Sequence, residues 1–432
     1  MSENIKLWDI IDSFISGDWG NEEESPEAPC CVSCIRGADI VPICNSDFEN
    51  IPIRYISNRS FTTHCLRESD IIIEKSGGSP TQSTGRVVYI SKELLAAKHD
   101  IVCSNFCVAF RVKPEWNSLY IYYYLRNVYN AGVFFNFEGK TSGIKNLDIE
   151  TAFRAIPIKA IAMETQKSIA TAISCLDKKI ALNRAINDNL EVMAKQLYDY
   201  WFVQFDFPNE EGEPYKSSGG KMVWNDKLKR EIPEGWYADN ICRIADILSG
   251  GTPSKQIDSY WQNGNIPFFG PTDYAGAIFQ LNTAEHITSD GLKHCASSLF
   301  EEGVVIITAR GSIGKLVIVG TPMAMNQSCY AFRSRNNEFE YLYFLTAQLI
   351  EHLKAKGSGS VFKSIITTDI ENSILSIADE TTITLFTSTI RPLMNAIKEN
   401  TKQIEVLTKQ RDELLPLLMN GQVSVNYHLS HD

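Results

Sequence analysis

Two glycine-containing loops hold the side chains of this sequence that are best suited to binding a ligand. The first, after residues 71–73, contributes Lys75, Ser76, Ser79, Gln82 and Arg86, and the second, after residues 304–307, contributes Arg310, Ser312 and Lys315. Glycine allows a close backbone approach, Ser and Gln offer hydrogen bonds, and Arg or Lys can contact phosphate or guanine. A tight hairpin would need the same glycines, so ligand binding and a simple turn both stay open.

A second polar loop precedes a helix-like stretch in each half of the chain. These loops contribute Lys140, Thr141, Lys145, Ser358 and Lys363. Residues 139–141 end like a nucleotide-binding loop, but Phe134 occupies the position where that loop requires glycine. We therefore predict no ATP site here, and the role of these loops stays open.

A third group of candidate residues lies in residues 247–274. Ser254, Lys255 and Tyr274 combine a hydroxyl group, a cation and an aromatic ring close to Trp261. This combination suits a nucleic-acid surface, but it suits a turn over a small core equally well.

The sequence contains none of the catalytic motifs that these loops would need in an enzyme. DNA amino-methyltransferases carry an Asp/Asn-Pro-Pro-aromatic tetrapeptide, and the nearest match, residues 265–268, lacks its first proline. We find no HExxH, no GxSxG and no glycine fingerprint after a strand. We predict no catalytic residues, no metal ligands and no cofactor bound by this chain. The eleven cysteines share no common spacing, so we expect reduced, structural thiols.

A long helix is predicted between Glu164 and Trp201, without internal proline or glycine. Alternating steps of four and three define a helix–helix seam. Its members are Ile169, Ile173, Leu176, Ile180, Asn183, Asn187, Leu190 and Leu197. Asn183 and Asn187 are expected to fix the register, because a buried amide disfavours pairings that leave it without a partner. Asp177 and Lys179, which resemble part of a nuclease motif, are expected to be a solvated pair.

The same pattern returns near the C-terminus, together with the segments that precede it. The second seam comprises Ile390, Leu393, Ile397, Asn400, Ile404, Leu407, Leu414 and Leu418. Residues 104–112 match 326–334, and 139–158 match 357–377. The chain is therefore expected to contain two copies of one unit, a globular domain followed by a long helix. Two such helices can pack antiparallel.

This repeat predicts an α+β fold, with two similar mixed α/β domains separated by two long antiparallel helices in a coiled coil. The predicted boundaries are 1–160 for the first domain, 161–205 for the central helix, 206–378 for a linker and the second domain, 379–421 for the C-terminal helix, and 422–432 for a tail.

Size and charge limit the classes of function. The chain has 432 residues and a net charge of −11, and neither half is basic. A protein that binds duplex DNA alone is normally basic, so any nucleic-acid role would need local patches and helper subunits. The N-terminus has no basic region followed by an apolar core, and no apolar run approaches a membrane span. We expect a cytoplasmic protein with no membrane contact.

Several segments together resemble the specificity (HsdS) subunits of type I restriction–modification enzymes. The resemblance spans nearly the whole chain and rests on IRGADI at 35–40, ESDIIIEKSGGS at 68–79, GEPYKSSGGKMVWNDKLKREIPEGW at 212–236, LSGGTPSK at 248–255, MNQSC at 325–329 and LTKQRDELLPLLMNGQV at 407–423. It implies a non-catalytic subunit with two target-recognition domains, each binding one half of a split, asymmetric site in double-stranded DNA.

The resemblance also implies the partners. Two modification (M) subunits would dock on the conserved helices, restriction (R) subunits would join through them, and S-adenosylmethionine, ATP and Mg would be bound by those partner subunits. The family's recognition domains vary too much for base-contacting residues to be transferred. One alternative is a non-catalytic coiled-coil scaffold that joins two partner proteins without DNA specificity, and another is an autonomous methyltransferase.

Overall fold

The computed structural model describes residues 5–77, 82–141, 144–356 and 364–425. The chain forms two compact units. Unit 1 contains Met1–Ala181 and Val406–Asp432, and unit 2 contains Leu182–Glu405.

Unit 1 contains twelve strands and five short helices in its described residues, followed by the first part of a long helix. The strands are β1 (Ile5–Lys6), β2 (Ile11–Ser16), β3 (Cys30–Ile35), β4 (Ile53–Ile56), β5 (Ile71–Glu74), β6 (Ser76–Gly77), β7 (Val87–Tyr89), β8 (Ile101–Cys103), β9 (Cys107–Val112), β10 (Glu138–Thr141), β11 (Ile144–Leu147) and β12 (Pro157–Ile158). The helices are α1 (Ile40–Cys44), α2 (Asn58–His64), α3 (Lys92–Ala97), α4 (Ser118–Asn130), α5 (Ile149–Ala155) and the long α6 (Met163–Tyr198).

A four-stranded sheet in the order β2-β9-β5-β7 is the centre of unit 1. Ile71 and Ile73 of β5 face one core with Phe110, whereas Ile72 faces a second core with Val88. Burial of both faces explains why β5 is a continuous apolar run instead of an alternating one. Smaller sheets have the orders β4-β3-β8, β10-β11-β6 and β1-β12.

Unit 2 begins in α6 and ends in the second long helix. Its strands are β13 (Met222–Asn225), β14 (Arg230–Pro233), β15 (Tyr237–Asp239), β16 (Ala245–Ser249), β17 (Ile266–Phe269), β18 (Phe279–Gln280), β19 (His286–Ile287), β20 (Val305–Thr308), β21 (Leu316–Val319), β22 (Ala324–Met325), β23 (Cys329–Ser334) and β24 (Leu375–Ile377). Its helices are α7 (Ser289–Lys293), α8 (Phe339–Lys356), α9 (Thr367–Glu371) and the long α10 (Glu380–Met419).

The sheets of unit 2 repeat those of unit 1. Its main sheet has the order β16-β23-β20-β21-β18, and the first four strands correspond to β2, β9, β5 and β7. The terminal pair β15-β24 corresponds to β1-β12, and both pairs are antiparallel. The predicted α+β fold with two similar mixed domains is confirmed.

Both units contain a section of each long helix, and in both units these sections run antiparallel. In unit 1, Ile169 and Ile173 of α6 share a core with Leu415 and Leu418 of α10. In unit 2, the partners of α6 descend in number, from Gln403 opposite Asn183 to Phe386 beside Tyr198. The antiparallel pairing predicted from the two apolar seams is confirmed.

The seam asparagines make specific hydrogen bonds in unit 2. The Asn187 amide donates to the Ile397 carbonyl oxygen at 3.3 Å and to Thr401 Oγ1 at 3.2 Å, and its Oδ1 accepts from Asn400 Nδ2 at 2.9 Å. Asn183 Nδ2 donates to Gln403 Oε1 at 3.1 Å. A shift of either helix by one turn would break these bonds, as expected of residues that fix register.

One predicted seam position is wrong. Leu414 is 39% exposed, whereas its neighbour Leu415 is 1% exposed and lies in the core of unit 1. From Leu407 the seam advances by two steps of four, through the half-buried Arg411 to Leu415, and Leu414 therefore faces solvent. Most other seam residues are buried or half-buried; the half-buried ones are Leu176, Leu190, Leu197, Leu393, Asn400, Ile404 and Leu407.

Candidate nucleic-acid interface

The two polar loops of unit 1 meet in one small sheet. Strand β6, just after Lys75, pairs with β11, so that Gly77 lies opposite Lys145 and Ser76 opposite Asn146. The Ser76 hydroxyl donates to Asn146 Oδ1 at 2.5 Å, and β10 extends the sheet on the other side of β11. Predicted residues from distant parts of the sequence therefore lie side by side.

Arg86 is held by a buried carboxylate. Its Nε and Nη2 donate to the two oxygens of Glu74 at 2.8 and 2.5 Å, and this hydrogen bonding raises the pKa of Arg86. Glycines at 37 and 77 make room for that carboxylate, because a Cβ at either position would lie 2.8 Å from Glu74 Oε1. Arg86 is therefore fixed in place, with part of its guanidinium left facing a cleft.

Lys145 is largely enclosed by unit 1. Its ammonium group lies 3.3 Å from Glu138 Oε2, donates to the Gln82 carbonyl oxygen at 3.1 Å and is 4.9 Å from the Phe135 ring centroid. It links β11 to the first loop, whereas Lys75 and the Gln82 side chain are exposed. Lys140 and Thr141 lie in β10, and their side chains, like Ser79, fall outside the described residues.

Unit 2 contains an equivalent arrangement. The Ile365 amide donates to the Ala309 carbonyl at 2.9 Å, as the Leu147 amide does to the Lys75 carbonyl at 2.8 Å in unit 1. Arg310 forms a β-bridge with Ser364, the residue that follows the second polar loop. Arg310, Ser312 and Lys315 are exposed, and the predicted Ser358 and Lys363 lie outside the described residues.

The glycine-containing loops of the two units differ at one pair of equivalent residues. The Glu74 amide donates to the Arg86 carbonyl and the Thr308 amide to the Lys315 carbonyl, both at 2.9 Å, so these pairs occupy the same place in each hairpin. Unit 1 has a carboxylate with an arginine, whereas unit 2 has a buried hydroxyl, which donates to the Ser312 carbonyl, with an exposed lysine.

The remaining predicted residues lie at two places in unit 2. Lys315 Nζ is 5.1 Å from the ring centroid of Tyr274, and burial raises the pKa of that tyrosine. Lys255 Nζ lies 3.8 Å from the Trp261 ring centroid and also pairs with Glu285. The Ser254 carbonyl accepts a hydrogen bond from Trp261 Nε1 at 3.0 Å, which organises a turn.

The described part of the chain also gives evidence on metal binding, thiol reactivity and membrane insertion. No cluster of three or more His, Cys, Asp or Glu side chains could hold a metal ion there. Burial raises the pKa of the Cys34, Cys107 and Cys329 thiols to about 12, so these thiols are protonated and unreactive at neutral pH. No described helix is long and apolar enough to cross a membrane.

Comparison with known proteins explains the duplicated arrangement. A family model for the type I restriction modification DNA specificity domain matches residues 41–192 and 233–406. Each repeat contains one of these matches, and together they cover well over half of the chain. The chain belongs to this family. The resemblance predicted from the sequence segments is confirmed.

Relatives of this specificity family match along most of the chain. The specificity subunit of the type I restriction enzyme MjaIX from Methanocaldococcus jannaschii is 28% identical over 407 residues, covering 90% of this chain and 88% of the relative. The HindI specificity subunit from Haemophilus influenzae is 25% identical over 318 residues, covering 60% of this chain and 67% of the relative. A solved type I S subunit from M. genitalium has a TM-score of 0.57 at 15% identity and covers 96% of this chain and 95% of that one, which shows a shared fold.

The roles of two groups of residues were not predicted from the sequence. Asp177 is not a solvated residue: it accepts from Tyr123 and Arg126 at 2.8 Å and from Arg411 at 2.9 Å, and so ties α4, α6 and α10 together. The second group surrounds the cleft beside Arg86 and includes Arg36. Its signal was present in IRGADI, where an arginine and an aspartate stand three residues apart.

Proposed function

We propose that this chain is the DNA sequence-recognition subunit of a type I restriction–modification complex. Each unit binds one half of a bipartite, asymmetric site in double-stranded DNA. The chain docks two modification subunits and, through them, restriction subunits, which together methylate adenine N6 or cleave DNA. S-adenosylmethionine, ATP and Mg bind to those partners, and this chain contributes no catalytic group.

The observation that carries the proposal is the duplicated polar loop arrangement within a family of DNA specificity domains. Both units place a glycine-containing loop with exposed cations beside a segment that belongs to the second polar loop in unit 1 and directly follows it in unit 2, through equivalent backbone hydrogen bonds. The side chains at equivalent positions differ between the units, as Glu74 with Arg86 and Thr308 with Lys315 illustrate. One scaffold with two different sets of side chains suits two different half-sites.

An apolar stripe on α6 supports docking of the modification subunits. Leu182, Ile186 and Met193 are all exposed. At about 100° per residue, they lie within roughly 40° of one another around the helix axis. A helix face of this kind, away from the seam, is suited to a protein partner. Partners of this kind are also compatible with the net charge of −11, because they can add phosphate contacts to those made by the exposed cations of this chain.

The decisive experiment is methylation mapping in cells that express this chain with its modification subunit. We expect methylated adenines in one split, asymmetric sequence. Lys315→Ala should relax the half-site recognised by unit 2 and leave the other half unchanged. Lys221→Ala, which changes an exposed lysine just before strand β13, should affect neither half-site. The purified chain alone should show no methyl transfer, ATPase or cleavage activity.

Two results would contradict the proposal. Methylation at sites that do not depend on this chain would favour a scaffold without DNA specificity. Methyl transfer by the isolated chain would identify an autonomous methyltransferase.

A further inference from the structure

A cleft of about 640 Å³ lies in unit 1 at the end of strand β5. Its walls include Trp19, Arg36, Ala38, Glu74, Arg86 and Phe106. Pockets that enclose small ligands typically measure about 300–1,000 Å³, so this cleft can hold one nucleotide-sized group. A base pair within a duplex is too broad to enter a concave site of this size, whereas a single unstacked base can do so.

Two arginines in the cleft wall are fixed by carboxylates. Arg36 donates to Asp39 through Nε at 2.9 Å and through Nη2 at 2.7 Å, and Arg86 is bound to Glu74 in the same two-point manner. Arg36 Nη2 also donates to the Asn50 carbonyl oxygen at 3.3 Å. Within the part of the chain that the structure describes, Arg86 therefore keeps two donors for another ligand, Nη1 and the second hydrogen of Nη2, whereas Arg36 keeps Nη1. These donors are therefore oriented before any ligand binds, which reduces the entropy lost on binding.

The charges in the cleft favour a neutral ring over a phosphate group, so the phosphate of a bound nucleotide would lie outside the cleft in solvent. Each guanidinium lies within 3 Å of a carboxylate, so the two pairs have no net charge, and Glu74 and Asp39 are both buried. A phosphate group would be attracted to the arginines but repelled by carboxylates directly behind them. A neutral ring with hydrogen-bond acceptors gains the donors without that repulsion.

Aromatic surface at the cleft supplies a stacking partner. Phe106 is 57% exposed, and its backbone is held in place because its carbonyl oxygen accepts from the Lys75 and Ser76 amides at 2.8 and 3.0 Å. Trp19 also lines the cleft, with the Arg54 guanidinium 4.1 Å from its ring centroid. Base–aromatic stacking contributes about 1–3 kcal/mol per base.

We propose that this cleft binds a guanine base, with an arginine donating to its O6 and N7 and Phe106 stacking on the ring. Guanine is the base that presents two adjacent acceptors on one edge, which match the two donors of a guanidinium. Adenine places an amino donor beside N7 and would oppose one donor with another. The base comes either from a free guanine nucleotide or from an unstacked position in DNA; the second source rests on the proposed function.

The first experiment titrates GMP and AMP into the full chain by calorimetry. For a free-nucleotide site we expect saturable GMP binding and at least about fivefold weaker AMP binding, because one well-placed bidentate contact changes affinity by about 5- to 150-fold. Phe106→Ala should weaken GMP binding. Trp224→Ala is the matched control, since this aromatic residue is also 57% exposed but lies on the β13-β14 hairpin of unit 2.

Two further variants separate binding from folding. Ala38→Trp fills the cleft from an exposed position and removes no polar contact, so it should abolish binding in a folded protein. Arg86→Lys keeps the positive charge beside Glu74 but loses the fork of donors, so it should reduce the preference for GMP over AMP. Equal binding of both nucleotides by the wild type and by every variant would overturn the proposal for a free nucleotide.

The second experiment applies the same variants to methylation mapping in the assembled complex. If the guanine comes from DNA, Arg86→Lys and Ala38→Trp should relax one guanine position in the half-site of unit 1 and leave the other half-site intact. A wild-type complex that methylates a defined sequence, with no change in any variant and no GMP binding, would overturn the inference. If the wild-type complex has no sequence preference, the proposed function fails, and the GMP titration alone decides the role of the cleft.

Discussion

Glu191 is a partly buried acidic side chain on the part of α6 that belongs to unit 2. Burial, with a smaller contribution from the neighbouring Asp188, raises its pKa to about 7. The rings of Tyr274 and Tyr343 lie close enough for their ionisation to be affected by this carboxyl group. The helix thus brings a poorly solvated acid next to a residue predicted to contact DNA.

This shift makes the stability of unit 2 depend on pH. The ordinary value for glutamate is 4.5, so between about 4.5 and 7 the folded state binds more protons than the unfolded chain. Stability therefore falls as the pH rises through this range, and the loss is complete above about pH 7. Glu191→Gln should raise the melting temperature at pH 8 and have little effect at pH 4.5.

Thermal denaturation at both pH values measures the effect. Glu399→Gln is a suitable control, because this carboxylate is 62% exposed on α10 and should give equal, small changes at pH 4.5 and pH 8. A Glu191→Gln variant whose melting temperature differs from the wild type by the same amount at both pH values would show that the shift is absent.

The two long helices depend on matched polar pairs as well as on apolar seams. Asn187 and Asn400 share a hydrogen bond at 2.9 Å inside unit 2, and Asn187 also bonds to Ile397 and Thr401. Asn183 differs, because its partner Gln403 is exposed and can bond to water instead. The contribution of a seam amide should therefore depend on whether its partner remains buried.

A double-mutant cycle tests whether Asn187 and Asn400 stabilise the helix pair together. Asn187→Leu should destabilise unit 2 by about 1–3 kcal/mol, because it leaves the Asn400 amide without its partner in the seam. Adding Asn400→Leu should recover most of that loss, since neither amide is then left unpaired. Asn183→Leu, the control, should cost less than Asn187→Leu. Urea denaturation gives these values, and additive losses in the double variant would contradict a coupled pair.

At the scale of the whole molecule, the repeat predicts how half of the chain behaves. A fragment of residues 1–210 contains the globular part of unit 1 and all of α6, but it lacks Leu415, Leu418 and Met419, which complete the core of unit 1. Its own Tyr198, Trp201 and Phe202 would also lose the core that they occupy in unit 2. In the fragment, the open core of unit 1 and the end of α6 would therefore both expose large apolar surfaces to water.

We expect two copies of this fragment to form an antiparallel, two-fold symmetric dimer in which each α6 substitutes for the missing α10 of the other. Light scattering should give twice the mass of the fragment. With modification subunits present, methylation should follow an inverted repeat of the first half-site.

Leu190→Asp is the control for this dimer. Leu190 packs only within unit 2 in the full chain, so the substitution should leave the core of unit 1 intact and prevent pairing of the fragments. A wild-type fragment that stays monomeric would show that α6 of one copy does not substitute for the missing α10 of another.

The sequence by itself determined the repeat, the two long helices and the family, because these depend on local periodicity and on segments that can be compared along the chain. The apolar steps of four and three were enough to predict the antiparallel seams and the role of Asn183 and Asn187 in fixing register. The glycine-containing loops were recognisable for the same reason, since residue type and spacing are local properties.

Only the tertiary structure decided which charged residues of the candidate site are already engaged. Lys145 meets Glu138 across a β-hairpin, Arg86 meets Glu74 across another, and Asp177 meets Arg411, which is 234 residues away in sequence. Strand pairing and helix packing bring these partners together. The spacing of residues along the sequence does not reveal such contacts. Packing also explains why Leu415 is buried where the sequence pattern predicts Leu414. Small departures from the 3.5-residue repeat accumulate along a long helix, until a neighbouring residue faces the partner helix.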